Sequence, residues 1–217
     1  MWTYVDLSRD WETEASRARP AVLESASRDV AVAVLNQYCI CGHRCVHIER
    51  SGHDKPVARI CRYLDFSLSH SYGRYVVAVA RSGVVGVDVE LPKCGFDWQS
   101  LIDRAFSPRE CEWILSREQP SSAFWRLWTI KEAALKATGH GLRGLRELEF
   151  GGLQAGAPVT VASVDRRYVL NVSTFWLDRS YVSVAHSCGG KTRFRPLDWR
   201  QGAEGPGSCA STRRVKR

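Results

Sequence analysis

Two consecutive apolar runs in the middle of the chain predict neighbouring β-strands. Residues 75–80 are almost continuously apolar, and in residues 84–90 valines alternate with Asp88 and Glu90. Successive side chains of a strand point to opposite faces, so we expect the valines to be buried and both carboxylates to emerge together. Because Ser82-Gly83 is typical of a tight turn, we expect the two runs to form an antiparallel hairpin.

Three stretches have the spacing and end signals of helices. In residues 27–38, apolar side chains recur at helical intervals after Ser27, a suitable N-cap. Residues 107–110, Ser-Pro-Arg-Glu, combine an N-cap serine, a proline at the first helical position and a capping-box glutamate. Residues 123–138 form the third predicted helix, which Gly139 ends.

Further strand-like runs complete an α+β pattern. A weak internal sequence similarity suggests that the chain consists of two halves. They occupy residues 2–7, 46–49, 159–164, 168–172 and 181–186. Residues 73–80 resemble residues 179–186, which suggests two similar α+β halves. We predict an N-terminal α+β half in residues 1–83 and a C-terminal α+β half with a metal site in residues 84–200. Residues 201–217 offer little to bury and predict a disordered basic tail.

Composition narrows the class of partner without choosing one. The 217 residues carry 31 Lys and Arg against 23 Asp and Glu, a net charge of +8, which favours nucleic acid, an anionic cofactor or an acidic protein. No apolar run approaches the roughly 20 residues of a membrane span. The first residues lack the pattern of a signal peptide, so we expect a soluble, cytoplasmic protein without a membrane contact.

Eight cysteines raise the question of disulfides or zinc. Without a signal peptide, reduced thiols are the better expectation. One cluster, residues 39–47, contains three cysteines and two histidines, but its C-x-C spacing differs from the usual C-x2-C of zinc sites. We favour a loop with incidental thiols, and a structural zinc remains an alternative.

The acidic residues of the predicted strand and of the third helix suggest a cation site. Asp88 and Glu90 would form an unfavourable like-charge pair unless a cation lies between them. Glu132 and Lys136 stand four residues apart and share a helix face, although such a pair also occurs as a plain surface contact. Carboxylates beside lysines are suited to a hard divalent cation that holds phosphate oxygens.

Four motifs in a fixed order carry a resemblance to a known family. They are residues 66–71 (FSLSHS), 86–90 (GVDVE), 104–110 (RAFSPRE), and Trp128-x-x-Lys131-Glu132-Ala133-x-x-Lys136 followed by Gly139-x-Gly141-Leu142. Together they resemble the Sfp-type 4'-phosphopantetheinyl transferases across residues 52–142. The resemblance implies an α+β fold, a pseudo-dimer of two similar halves with the site at their junction. It also implies transfer of phosphopantetheine from coenzyme A to a carrier-protein serine, with release of 3',5'-ADP.

The resemblance assigns the metal ligands and the catalytic groups. Asp88, Glu90 and Glu132 fall on positions that coordinate Mg2+, directly or through water. Lys136 and His70 would stabilise the charge on the departing 3',5'-ADP. Glu132 is the preferred general base, and Glu90 acting through water is the alternative. A lone histidine such as His70 is more often structural, but here two serines flank it.

The resemblance also assigns contacts to coenzyme A. Ser69 and His70 match positions that hold its phosphates, and Lys131 and Lys136 match positions near its diphosphate. Lys55 matches the lysine that holds the nucleotide end, although the family's glycine usually adjoins that lysine and here Gly52 lies three residues earlier.

The expected acceptor is an acidic apo acyl or peptidyl carrier protein, which suits the basic charge of a chain expected to act as a monomer. One rival is a metal-dependent nuclease, since Asp-x-Glu with a helical acid and lysine also suits phosphodiester hydrolysis. A second rival is a basic nucleic-acid-binding module that uses the tail, with the carboxylates on a solvated surface. Neither rival explains the remaining motifs.

Overall fold

The computed structural model is an α+β protein that packs two β-sheets face to face between two long helices. It describes residues 2–6, 20–38, 48–49, 55–58, 64–72, 74–151, 159–162, 169–187 and 194–197. The cysteine cluster at residues 39–47 and the predicted tail at residues 201–217 lie outside this set. The predicted α+β class is confirmed.

The helices are α1 (Pro20–Tyr38), α2 (Gln99–Ala105), α3 (Pro108–Leu115) and α4 (Pro120–Thr138), followed by a 3-10 turn, Leu142–Gly144. The strands are β1 (Trp2–Asp6), β2 (Ile48–Glu49), β3 (Val57–Ala58), β4 (Asp65–Ser71), β5 (Arg74–Ala80), β6 (Val85–Glu90), β7 (Glu149–Gly151), β8 (Val159–Ala162), β9 (Val169–Leu177), β10 (Ser180–His186) and β11 (Phe194–Leu197). No described helix is long and apolar enough to cross a membrane.

The strands form two large sheets and a small hairpin. The first sheet has the order β11-β1-β5-β4, the second has the order β6-β10-β9-β8-β7, and β2 pairs with β3. The two similar segments of the sequence contain β5 and β10. Each of these strands lies between two neighbours in its sheet. Because β5 is covered by α1 on one face and by the second sheet on the other, its residues read as a nearly continuous apolar run.

Three apolar layers hold the four-layer arrangement together. The layer under α1 contains its Val34 and Leu35 against Phe66 and Tyr75. The layer between the sheets joins alternate residues of β5 to alternate valines of β6 and β10 (Val76, Ala78, Ala80, Val85, Val87, Val89, Val182, Val184). The layer under α4 is built on aromatic residues of that helix, with Phe124 fully buried.

Two of the predicted helix end signals are present in the structure, and the predicted N-cap Ser27 lies inside α1 instead. At α3, Ser107 accepts a hydrogen bond from the Glu110 N–H and the Glu110 carboxylate accepts one from the Ser107 N–H, so the predicted capping box is present. Helix α4 ends at Gly139, whose φ of 80° is in the left-handed region. Two starts lie earlier than predicted, at Pro20 for α1 and Pro120 for α4, where a proline occupies the first helical turn.

The predicted hairpin of β5 and β6 is wrong, because the two strands belong to different sheets. Both edges of β5 are already paired, with β1 on one side and β4 on the other. Strand β6 pairs instead with β10. The bend at Arg81–Gly83 therefore carries the chain from one sheet to the other.

The end of the chain returns to the first sheet. Strand β11, which lies within the predicted C-terminal half, pairs in parallel with β1 from Trp2↔Phe194 to Val5↔Leu197. Strand pairing thus connects the two halves in addition to the packing of the sheets. The boundary between residues 83 and 84 stays a prediction.

Gly86 allows α4 to lie directly on β6. A Cβ atom at this position would stand 1.9 Å from the carbonyl oxygen of Ala133 and 2.4 Å from the backbone nitrogen of Ala137. Both obstructing groups are backbone atoms of a buried helix, so they cannot turn aside as a flexible side chain would. This close approach brings Glu132 and Lys136 beside Asp88.

Replacing Gly86 by alanine should therefore cost about 3 kcal/mol or more of unfolding free energy, because α4 must move away from the sheet. Urea denaturation followed by circular dichroism measures the loss. Gly95→Ala is the matched control: it also introduces a Cβ, has nothing within 4 Å and is strained only by its φ of +75°, so it should cost about 1 kcal/mol. Equal losses in the two variants would contradict the close-packing account.

Candidate active site

The site lies where the edge of β6 meets β4, and side chains join these two strands. The backbone N–H groups on the free edge of β6 donate to side-chain oxygens from every second residue of β4, in place of a strand partner. The pairs are Val85 to Asp65 (2.7 Å), Val87 to Ser67 (3.1 Å), Val89 to Ser69 (3.3 Å) and Leu91 to Ser71 (3.4 Å). We call these four pairs the β4–β6 seam.

Asp88 is the most buried acid of this junction, with 3% of its surface exposed. Its Oδ1 atom accepts hydrogen bonds from Ser69 Oγ at 2.8 Å and from Lys136 Nζ at 2.6 Å. Its Oδ2 atom is buried and has no hydrogen-bond partner among the described residues. A buried carboxylate oxygen without a partner is costly, and a bound cation would remove that cost.

Glu90 and Glu132 complete a cluster of three carboxylates. Burial raises the pKa of Glu90 to about 7, and the charge of Asp88 adds to the effect. Burial likewise raises the pKa of Glu132 to about 7, again with a contribution from Asp88. Asp88 thus lies close enough to both glutamates for its charge to disfavour their ionisation.

Lys136 supplies the positive charge of the cluster. Burial by itself would lower the pKa of its ammonium group, but the charges of Asp88, Glu132 and Glu90 outweigh burial and raise the pKa. The group therefore stays protonated. From α4 it reaches both Asp88 and Ser69 Oγ, the latter at 3.0 Å.

The donor set has the chemistry of a site for a hard divalent cation. It consists of carboxylate oxygens, which Mg2+ prefers, and includes the unpaired Asp88 Oδ2. Within the described ranges, no three Asp, Glu, His or Cys side chains are placed so that together they could hold a metal ion, so the carboxylates would have to move to bind one. Asp88 Oδ1 is held by Lys136 instead. The residues fit a cation that keeps several of its waters, as Mg2+ does.

His70 lies at the end of β4 and is solvent-exposed. Because side chains alternate along a strand, it points away from the serine face of β4, and its ring lies 5.7 Å from that of Tyr75. Partial burial lowers the pKa of its imidazole, Lys136 lowers it further and Asp88 opposes both. It is near enough to the cluster to sense these charges and remains accessible to a ligand.

Ser69 does not have the free hydroxyl that a phosphate contact requires. Its Oγ atom donates to Asp88 and accepts from Lys136 and from the Val89 N–H, which uses one donor and two acceptors. The predicted contact of its hydroxyl with a coenzyme A phosphate stays a prediction, and it would require one of these hydrogen bonds to break. In this structure Ser69 orients Asp88 and Lys136.

Lys55 is likewise committed to the protein. Its ammonium group lies 2.5 Å from Asp65 Oδ2 and donates to the carbonyl oxygens of Val85 at 2.9 Å and Ala137 at 3.2 Å. All three N–H donors are used. In this structure the group joins β4, β6 and α4, and the predicted nucleotide contact of Lys55 stays a prediction.

Lys131 is separated from the other predicted site residues. Its side chain is fully buried, 2.7 Å from Glu110 Oε2. It also donates to the carbonyl oxygens of Ala105 at 2.9 Å and Leu145 at 2.6 Å. In this structure the ammonium group joins α4 to the ends of its neighbouring segments, and the predicted diphosphate contact stays a prediction.

Sequence reasoning missed the supporting residues Asp65, Ser67 and Ser71. Their signal was present, because polar residues at every second position of a strand enclosed by apolar runs predict a buried polar face. Buried hydroxyls require hydrogen-bond partners, and the free edge of β6 provides them.

Fold and site together define an α+β protein with an acidic, lysine-containing site between two sheets. The model of the 4'-phosphopantetheinyl transferase superfamily matches residues 84–187, which contain Asp88, Glu90, Glu132 and Lys136. Over this segment, a little under half of its length, the chain is similar to that superfamily.

Among its relatives, 4'-phosphopantetheinyl transferase HetI of Nostoc sp. is 44% identical over 86 residues, 39% of this chain and 36% of that protein. 4'-Phosphopantetheinyl transferase psf-1 of Bacillus pumilus is 35% identical over 136 residues, 61% of this chain and 57% of that protein. The chain thus spans well under two thirds of the length of these curated relatives.

A crystal structure of Thermotoga maritima holo-[acyl-carrier-protein] synthase also resembles part of the chain. It has 23% identity and a TM-score of 0.37, and the match covers 48% of this chain and 61% of that one. At this score the likeness carries no argument about the site.

The raised pKa of Glu132 predicts how pH changes the stability of the metal-free protein. Between pH 4.5 and about 7 the folded state holds a proton that the unfolded state has lost, so stability falls as pH rises through this range. Glu132→Gln removes this effect. In EDTA the variant should match the wild type near pH 5 and melt about 5 °C higher at pH 8, as measured by calorimetry. A melting difference that does not change with pH would contradict the assignment.

Proposed function

We propose that the protein transfers the 4'-phosphopantetheine group of coenzyme A to a serine of an apo acyl or peptidyl carrier protein. The products are the holo-carrier and 3',5'-ADP. The observation that carries the proposal is the convergence of Asp88, Glu90, Glu132 and Lys136 at one junction. The segment that matches the superfamily, residues 84–187, contains all four.

In the proposed reaction the serine oxygen attacks the β-phosphorus of coenzyme A. A new bond forms between that oxygen and phosphorus, the bond from phosphorus to the oxygen of 3',5'-ADP breaks, and the serine proton passes to a base. Negative charge grows on the phosphoryl oxygens and on the leaving group. Lys136 is protonated and faces the carboxylate cluster, so it can stabilise this charge, with His70 at the leaving side.

The proposal assigns Mg2+ to Asp88, Glu90 and Glu132. When bound, the ion would neutralise charge on the two phosphates of coenzyme A. Support comes from the unpaired oxygen of Asp88 and from the raised pKa values of both glutamates, which reflect negative charge crowded in a buried place. Coenzyme A is the phosphopantetheine donor in this account.

Glu132 is the proposed general base, directly or through one water molecule. Burial raises the pKa of Glu132 to about 7 in the metal-free protein, near the pH at which a base works best. A bound cation would lower this pKa and make the carboxylate a weaker base. Glu90 has a pKa of about 7 for similar reasons and remains the alternative through water. A hydrogen bond from Ser71 to Glu90 Oε2 at 3.3 Å favours Glu132, because it restrains the other carboxylate.

The acceptor in this proposal is an acidic carrier, in keeping with the net charge of +8. We also propose that the protein works as a monomer in the cytoplasm. Of the described cysteines, Cys94 and Cys111 are free thiols, in keeping with a reducing compartment.

The relatives reported above carry transferase names, so they lend no weight to the nuclease or nucleic-acid-binding alternatives.

Asp88→Ala and Glu132→Gln should each lower carrier modification about a thousandfold, since one removes a cation ligand and the other removes the base. The assay combines coenzyme A, Mg2+ and a panel of apo acyl and peptidyl carriers, and mass spectrometry detects the added phosphopantetheine. Glu118→Gln, on an exposed residue between α3 and α4, should leave the rate unchanged.

Circular dichroism should show that both site variants remain folded. The proposal would be contradicted if the wild-type protein modified no carrier under conditions in which another transferase modifies one. Full activity in Asp88→Ala would instead remove this cluster from the reaction.

A further inference from the structure

We propose that Ser71, from the first sheet, is a positioning residue that orients Glu90 for cation binding. The inference rests on the proposed function, because it assigns a role within the same site. It arises from a repeat in the β4–β6 seam that the family resemblance does not explain.

Ser69 and Ser71 make the same pair of contacts one step apart along the seam. Ser69 accepts from the Val89 N–H and donates to Asp88 Oδ1. Ser71 accepts from the Leu91 N–H and donates to Glu90 Oε2. Each serine therefore donates to an acidic side chain of β6 and accepts from the backbone N–H of the residue that follows that acid in the sequence.

This repeat fixes the direction of both carboxylates. A serine oxygen that accepts from a backbone N–H is held in place, and its single proton is then available to the carboxylate beside it. Asp88 and Glu90 therefore receive their orientation from β4, although the carboxylates themselves belong to β6. The first sheet directs the ligands without supplying one of the three predicted metal-binding carboxylates.

Ser67 provides an internal control for the same seam. It accepts from the Val87 N–H at 3.1 Å, but the residue before Val87 is Gly86, which has no side chain to orient. Ser67, Ser69 and Ser71 are similarly buried, with 4%, 6% and 8% of their surfaces exposed. Removing the hydroxyl of Ser67 or of Ser71 thus removes one hydrogen bond of the β4–β6 seam in each case. Only the removal at Ser71 also breaks a hydrogen bond to a carboxylate, that of Glu90.

Ser71 tests the idea more cleanly than Ser69. Ser69 Oγ also accepts from Lys136, so its removal would disturb a second charged group of the site. Among the described residues, the Ser71 hydroxyl makes the seam bond and the bond to Glu90. Threonine keeps the hydroxyl and is well suited to a strand, which makes Ser71→Thr the conservative variant.

The experiment titrates the full-length wild type, Ser71→Ala, Ser71→Thr and Ser67→Ala with Mn2+ by isothermal calorimetry, without coenzyme A or carrier. Ser71→Ala should weaken Mn2+ binding about tenfold, as expected when a group that orients a metal ligand is lost. Ser71→Thr should restore it to within about threefold, and Ser67→Ala should stay within about twofold of the wild type. Melting temperatures should fall equally in the two alanine variants.

Equal Mn2+ affinities for Ser71→Ala and Ser67→Ala would overturn the positioning role, and so would a wild type that binds no Mn2+. The carrier assay separates this result from the proposed function. A wild type that modifies a carrier while both alanine variants bind Mn2+ alike would overturn the positioning role alone. A wild type that binds Mn2+ with the expected variant pattern but modifies no carrier would support the positioning role and overturn the transferase.

Discussion

The geometry of the site depends on how the free edge of β6 satisfies its hydrogen bonds. A strand edge normally pairs with another strand or faces water, because unpaired N–H groups are costly when buried. Here the side chains of β4 accept those bonds, from Val85 to Leu91. The two sheets can therefore pack face to face, and the carboxylates of β6 remain at the junction.

Two further contacts turn this junction into a site. The absence of a side chain at Gly86 lets α4 approach β6 closely, and that approach brings Lys136 to within 2.6 Å of Asp88. The resulting cluster holds three acids and one lysine in a largely buried place. Burial, together with the charge of Asp88, makes the two glutamates reluctant to ionise, and a bound divalent cation would offset both effects.

The sequence predicted the central cluster well because its signals are local. Residues two apart on a strand and four apart on a helix share a face whatever the tertiary structure, so Asp88 with Glu90 and Glu132 with Lys136 could be paired in advance. The capping box of α3 and the glycine that ends α4 were readable for the same reason. The family resemblance then indicated that the two pairs belong to one site.

Other features required information that local patterns do not carry. The turn at Ser82-Gly83 predicts that the chain reverses, but it does not say which strands pair. Both edges of β5 are paired with other strands, β1 and β4, so β6 cannot pair with it. Lys55 and Lys131 look like cofactor lysines in the sequence. Their roles depend on carbonyl oxygens such as Val85 O and Leu145 O, which only the fold brings to them.

The central claim is that Asp88, Glu90 and Glu132 hold one cation at the junction of the two sheets. A crystal of the full-length protein grown with coenzyme A and Mn2+ tests it most directly through anomalous diffraction. The account predicts a single strong anomalous peak among these carboxylates, with Asp88 Oδ2 among the ligands and Lys136 turned towards a phosphate. A peak elsewhere, or bound coenzyme A without a peak at this junction, would contradict it.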